Sequence, residues 1–97
     1  MKKDERSDNK QLIGMRLYEV KKRLGVSEQR LSNHLEMSLT SFRSKCKGIS
    51  ELKTSELMML RVLGVSVTYM CGIDDDMFID KLAGWRKARI SLGLVAE

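Results

Sequence analysis

Four glycines divide this chain. Gly25, Gly48, Gly64 and Gly72 each close a stretch whose apolar residues recur at helical spacing. Each stands where a helix end calls for a residue that tolerates a left-handed backbone. Small hydroxyl residues reopen the chain after each of the first three breaks: Ser27, then Ser38 within the next stretch, Ser50 or Thr54, and Ser66. Their oxygens accept from the free N–H groups of a new helix. There is no proline in 97 residues and aromatics are only 5%, so a β-sandwich or barrel is disfavoured. The expectation is an all-α chain of five short helices with an additional helix near the C-terminus.

Asp8-x-x-Gln11 reads as a capping box that opens helix one. Ile13, Leu17, Val20 and Leu24 then form one helical stripe. Lys21, Lys22 and Arg23 oppose the negative end of that helix. Residues 1–7 have no apolar period and read as a flexible basic arm. Helix two carries Leu31 and Leu35 inward, helix three carries Phe42 and Cys46, and helix four carries Leu57, Leu60 or Met59, and Leu63. A stub from Val67 to Cys71 completes a domain over 8–73. Asp74, Asp75 and Asp76 are expected to open a sixth helix, since acids favour its positive end. Phe78, Leu82 and Trp85 fall on one face of it, with Ile79, Ala83 and Ile90 as a second strip. Five helices already close a core. The segment 74–97 is therefore expected either to pack back on that core or, the favoured reading, to be a dimerisation element that contacts a second copy through Phe78, Leu82 and Trp85. Its tail, Leu92–Val95, is expected to be frayed or held in that interface.

The longest apolar run, Leu57–Leu60, is far short of the ~20 residues that span a bilayer, and no signal-peptide core follows the N-terminus. The expected location is the cytoplasm. There Cys46 and Cys71 are expected to be reduced and buried. One histidine, His34, and no clustered cysteines leave no ligand set for a structural metal. No nucleophile–base pair or phosphate-cradling glycine loop points to an enzyme or a cofactor. The net charge of +5 is unevenly placed: residues 1–49 hold 12 Lys and Arg against 6 Asp and Glu, and residues 50–97 hold 6 against 7. The basic half has the balance of a polyanion-facing surface.

That half contains the informative stretch, Ser27–Gly48, SEQRLSNHLEMSLTSFRSKCKG. Two short helices separated by a three-residue turn form a helix-turn-helix. Leu31, Leu35 and Phe42 anchor it, Ser32 supplies the small residue where the helices cross, and Met37 plugs the turn. The opposite side of the second helix is left free. It carries Leu39, Thr40, Ser41, Arg43, Ser44 and Lys47, and no acidic residue occurs from Met37 to Ser50. A helix lying between two phosphate walls needs that lack of negative charge, and it needs short hydrogen-bonding side chains near its N-terminus.

From Ile13 to Gly72, about 60 residues, the chain resembles the DNA-binding domain of the Cro and lambda-repressor family of phage and bacterial regulators. The matching text runs IGMRL, KKRLGVSEQRLSNHLEMSLTSFRSKCKG and LMMLRVLGVSVTYMCG. The resemblance implies a five-helix fold and a sequence-specific transcriptional regulator, a Cro-like phage or prophage repressor that binds double-stranded operator DNA as a homodimer. It places Leu39, Thr40, Arg43 and Ser44 at base-reading positions. Ser27, Gln29, Ser38, Ser41, Lys47 and Lys53 fall at phosphate-binding positions. An antitoxin with a protein partner and a small phage-type activator share the fold class. Four positions depart from the family pattern: Glu36 where the turn usually has glycine, Lys45 where the second helix usually has an apolar anchor, Cys46 where a glutamate often pairs with helix one, and Glu28 where glutamine often meets a phosphate.

Overall fold

A computed structural model describes residues 2–94, and their side chains from Asn9 onward. Six helices are present: α1 (Lys2–Leu24), α2 (Glu28–His34), α3 (Leu39–Cys46), α4 (Thr54–Leu63), α5 (Val67–Met70) and α6 (Gly84–Ser91). The protein is all-α, with no named strand among the described residues. α1 packs against α3, α5 and α6, α2 lies on α3, and α4 lies on α5 and α6.

The stripe read from the sequence forms the inner face of α1. Leu17, Val20 and Leu24 are fully buried, and Ile13 packs against the same core. They meet Leu31, Leu35, Phe42, Leu60, Val65 and Met70. The helix starts at Lys2, ahead of the expected Asp8. No glycine or proline in residues 2–8 interrupts it, so the backbone of the expected arm continues the helix. The side chains of that arm, and the Asp8 half of the capping box, lie outside the described residues. At the other end Gly25 takes φ +65°, and its N–H donates to the Lys21 and Lys22 carbonyls at 3.1 Å each. The remaining carbonyls are met from far along the chain. The Trp85 indole Nε1 donates to the Arg23 carbonyl at 2.7 Å, and the Arg89 guanidinium donates to the Leu24 carbonyl. α6 thus supplies acceptor-satisfying partners that a helix C-terminus lacks on its own.

Ser27, Ser38 and Ser66 cap α2, α3 and α5 as expected, accepting from the N–H groups of Arg30, Ser41 and Tyr69. α4 opens at Thr54, with Lys53 as its cap residue. The cap there is made by Glu56, whose Oε1 accepts from the Lys53 N–H at 2.8 Å. The other candidate start, Ser50, is 3.0 Å hydroxyl to hydroxyl from Ser44.

The C-terminal third differs most from the sequence reading. Asp74–Asp76 do not open a helix; α6 starts at Gly84. The Asp74 carboxylate accepts from the Thr68 hydroxyl at 2.7 Å and from the Asp76 N–H at 3.0 Å. Short acidic side chains bonded in this way offer the backbone an alternative to the helix. The chain then runs back beside the segment that follows α4. The Ser66 N–H donates to the Met77 carbonyl at 2.8 Å and the Ile79 N–H to the Gly64 carbonyl at 2.9 Å, around an antiparallel Val65–Phe78 bridge. Asp80 holds the turn that leads into α6, accepting from the Leu82 and Ala83 N–H groups and from Lys87 Nζ. Those hydrogen bonds, the Ala83 N–H foremost, hold its carboxyl below the usual range. The tail is docked: Leu92 is buried, and Arg30 Nη1 donates to its carbonyl at 2.9 Å. Val95 lies outside the described residues.

Candidate nucleic-acid interface

The orientation of α3 is set by what it buries. Phe42 is fully enclosed and touches the core formed by α1 and α2. One helical step further, Lys45 also points inward, at the position where an apolar anchor would be ordinary. Its ammonium is 2.7 Å from both Glu56 oxygens, and the two side chains are 6% and 8% exposed. Burying two charges is tolerated only when they pair closely and the remaining acceptors are bonded. Glu56 meets that condition because it also takes the Lys53 N–H. One carboxylate therefore ties α3 to the first turn of α4.

α3 is drawn onto α1 by a second device. Gly14 is buried, and a Cβ built on it would stand 2.4 Å from the Lys45 carbonyl oxygen and 2.7 Å from that of Cys46. The absent side chain lets the last turn of α3 rest directly on the α1 backbone. Cys46, half-buried against α1, has its thiol pushed up to about 11, first by burial and then by the nearby Glu28 charge. Cys71 is exposed rather than buried, because it lies just past the four-residue α5. Both thiols are free.

With Phe42 and Lys45 inward, the other side of α3 faces outward. Thr40, Arg43 and Lys47 are exposed, while Leu39, Ser41 and Ser44 are half-buried. The first turn of α3 contains no acid. Ser27 and Ser38 are exposed at the starts of α2 and α3, Gln29 is exposed with its Nε2 donating to Asn33 Oδ1 at 2.9 Å, and Lys53 is exposed at the start of α4. The ten positions marked in the sequence thus sit on or beside the outer side of α3 and at the openings of α2 and α4. The turn between α2 and α3 holds Glu36 at φ +58°, the left-handed conformation for which glycine is the ordinary choice. Ser32 is fully buried and its hydroxyl donates to the Gln29 carbonyl at 2.8 Å, so a small polar residue closes the crossing without an unmet donor.

Arg43 is not free of protein contacts. Its Nε and Nη2 donate to Glu28 Oε1 at 3.2 and 3.1 Å. Glu28, which departs from the expected glutamine, thus carries its charge to the outer side of α3. Neither Glu56, Gly14 nor the Arg43–Glu28 pair was identified from the sequence. A buried lysine on an inward stripe was the available signal for Glu56, and a mid-helix glycine three positions before Leu17 was the signal for Gly14.

Phe78, Leu82 and Trp85 do not form one face. Phe78 is buried in the chain's own core, and Gly84 packs on it so closely that a Cβ would lie 2.4 Å from the Phe78 Cβ. Leu82 is 99% exposed. Trp85 is partly exposed, bonded to Arg23 and covered by the Arg89 guanidinium 5.0 Å from its ring. Only Leu82 and part of Trp85 remain available to a second copy. Val62 and Ile79 are exposed as well and line one shared groove.

Among the described residues no group of His, Cys, Asp and Glu side chains is placed to hold a metal ion, and no helix is long and apolar enough to cross a membrane. No protein-family model matches the chain, and no curated protein or solved structure matches it.

Proposed function

We infer that the protein is a sequence-specific regulator of transcription that binds double-stranded DNA, with α3 lying in the major groove. The observation that carries this reading is the outward side of α3. A stretch that contains no acid of its own, hydroxyl-bearing near its N-terminus and cationic at Lys47, with Arg43 paired to Glu28 of α2, is held out by Phe42 and Lys45 on the opposite side. A shape of this kind fits between phosphate walls and presents short donors and acceptors to base edges. The resemblance of Ile13–Gly72 to the Cro and lambda-repressor family supports the same reading and favours a repressor of phage or prophage type. In this account Leu39, Thr40, Arg43 and Ser44 read bases. Ser27, Gln29, Ser38, Ser41, Lys47 and Lys53 hold phosphates, and most of the affinity comes from the cations. Regulators of this shape read pseudo-palindromic sites as two-fold dimers. A second copy of this chain is the partner that the exposed Leu82 and Trp85 would accept, without the buried Phe78.

The test is a selection of tight-binding sequences from a randomised duplex pool with the full chain, repeated with Arg43→Ala, Ser44→Ala. A shared motif is expected for the native protein. The double variant is expected to keep its helical spectrum and bind that motif at least tenfold more weakly, since a good base contact is worth about 1–3 kcal/mol. An unenriched pool, or a variant with unchanged preference, contradicts the reading.

A further inference from the structure

The contact between Glu28 and Arg43 joins two residues that are 15 positions apart, one in the first turn of α2 and the other midway along α3. The Arg43 side chain is 55% exposed and that of Glu28 31%. An ion pair so exposed adds little to stability, so folding gives no strong reason for it. Its position matters more. Arg43 is the cation nearest the middle of the outward side of α3, and the segment 37–50 contributes no acid of its own. Glu28 is brought into that neutral-to-basic surface from another helix.

We propose that Glu28 is a specificity-determining residue, which pairs with Arg43 so that its charge is withheld from DNA phosphates while its remaining donors stay directed at a base edge. This rests on the DNA-binding reading of α3. A guanidinium has five N–H donors in a rigid fork, and a carboxylate that takes two of them leaves three and fixes the plane. The paired unit has no net charge. It therefore adds nothing to the sequence-independent attraction that comes from displacing counterions. A free arginine at the same place would grip the phosphates of any duplex. Neutralising it lowers binding to every sequence alike, and the directed donors keep their value only where a matching base is present. Discrimination rises because the competing background falls.

The experiment compares the native chain with Glu28→Gln, Arg43→Gln and the double variant. Two probes are used: a random-sequence duplex and the duplex enriched by selection with the native protein. Affinity is measured across a salt series. Glu28→Gln is expected to bind the random duplex more tightly, to steepen the slope of log affinity against log salt by about 0.9 for the one phosphate gained, and to lower the ratio of enriched to random affinity. Adding Arg43→Gln to that variant should return the slope to the native value. Unchanged slope and ratio in Glu28→Gln, or weaker binding to the random duplex, overturns the proposal while leaving the DNA-binding reading in place. If the native chain binds neither duplex, that reading fails and the proposal with it.

Discussion

Lys45 and Glu56 show how a single pair of side chains decides the setting of α3. The lysine ammonium lies among the buried residues with its charge met by one carboxylate at 2.7 Å. Glu56→Ala would leave that ammonium buried and unpaired and would also remove the acceptor of the Lys53 N–H. A loss of about 3–5 kcal/mol in unfolding free energy is expected, measured by urea denaturation. Lys45→Met combined with Glu56→Leu replaces the pair by apolar groups of similar size and should recover most of that loss. A loss below about 1 kcal/mol in the single variant would mean that the pair is not closed off from water. Half of this was legible in the sequence. The spacing put Cys46 inward with Phe42, whereas Lys45 is the buried residue and Cys46 only half-buried; the family's apolar anchor position was the sign that pointed to Lys45. Its partner is 11 residues away across a loop, and no spacing rule links the two. Glu36 was more readable. The turn position calls for a left-handed backbone, and the residue adopts it at φ +58° with no glycine to ease it.

At the scale of elements, local rules accounted for the ends of α1 and α4 and for α2, α3 and α5, but not for the start of α1 at Lys2 or the cap of α4 at Lys53. Capping hydroxyls, glycine stops and the spacing of buried leucines act within a turn or two, and α2, α3 and α5 begin where serines placed them. The same rules failed over 74–83. Phe78, Leu82 and Trp85 satisfy helical spacing, but Phe78 pairs with Val65 across an isolated bridge and Gly84 then takes up the space over its ring. Contact with a distant part of the chain outweighed a local pattern. The meeting of α1 and α3 was equally hidden, because a glycine in a helix gives no apolar signal. Gly14→Ala raises helix propensity by about 1 kcal/mol, yet its Cβ would stand 2.4 Å from the Lys45 carbonyl oxygen. Overpacking of this kind costs about 1–3 kcal/mol. The variant should melt at a lower temperature than the native chain and, if α3 is displaced, bind DNA more weakly. A higher melting temperature would show that α1 and α3 are not held in backbone contact.

For the molecule as a whole, the two halves divide the work. The first 49 residues hold the excess of positive charge and the outward side of α3. The C-terminal segment closes the end of α1 through Trp85 and Arg89, holds α2 through Arg30, and leaves Leu82 and Val62 in solvent. Charge asymmetry was readable from composition. The route by which residues 72–94 wrap back onto α1 and α2 was not, since it depends on single hydrogen bonds between residues more than 60 positions apart. The most direct measurement is an amide chemical-shift titration of the full chain with the duplex enriched by selection. The account predicts that the largest changes fall on residues 38–47, with smaller ones at Ser27, Gln29 and Lys53, while α6 stays unmoved apart from changes shared with an interface between copies. Changes centred on α6 or α4 with 38–47 unaffected, or no change with any duplex, would contradict it.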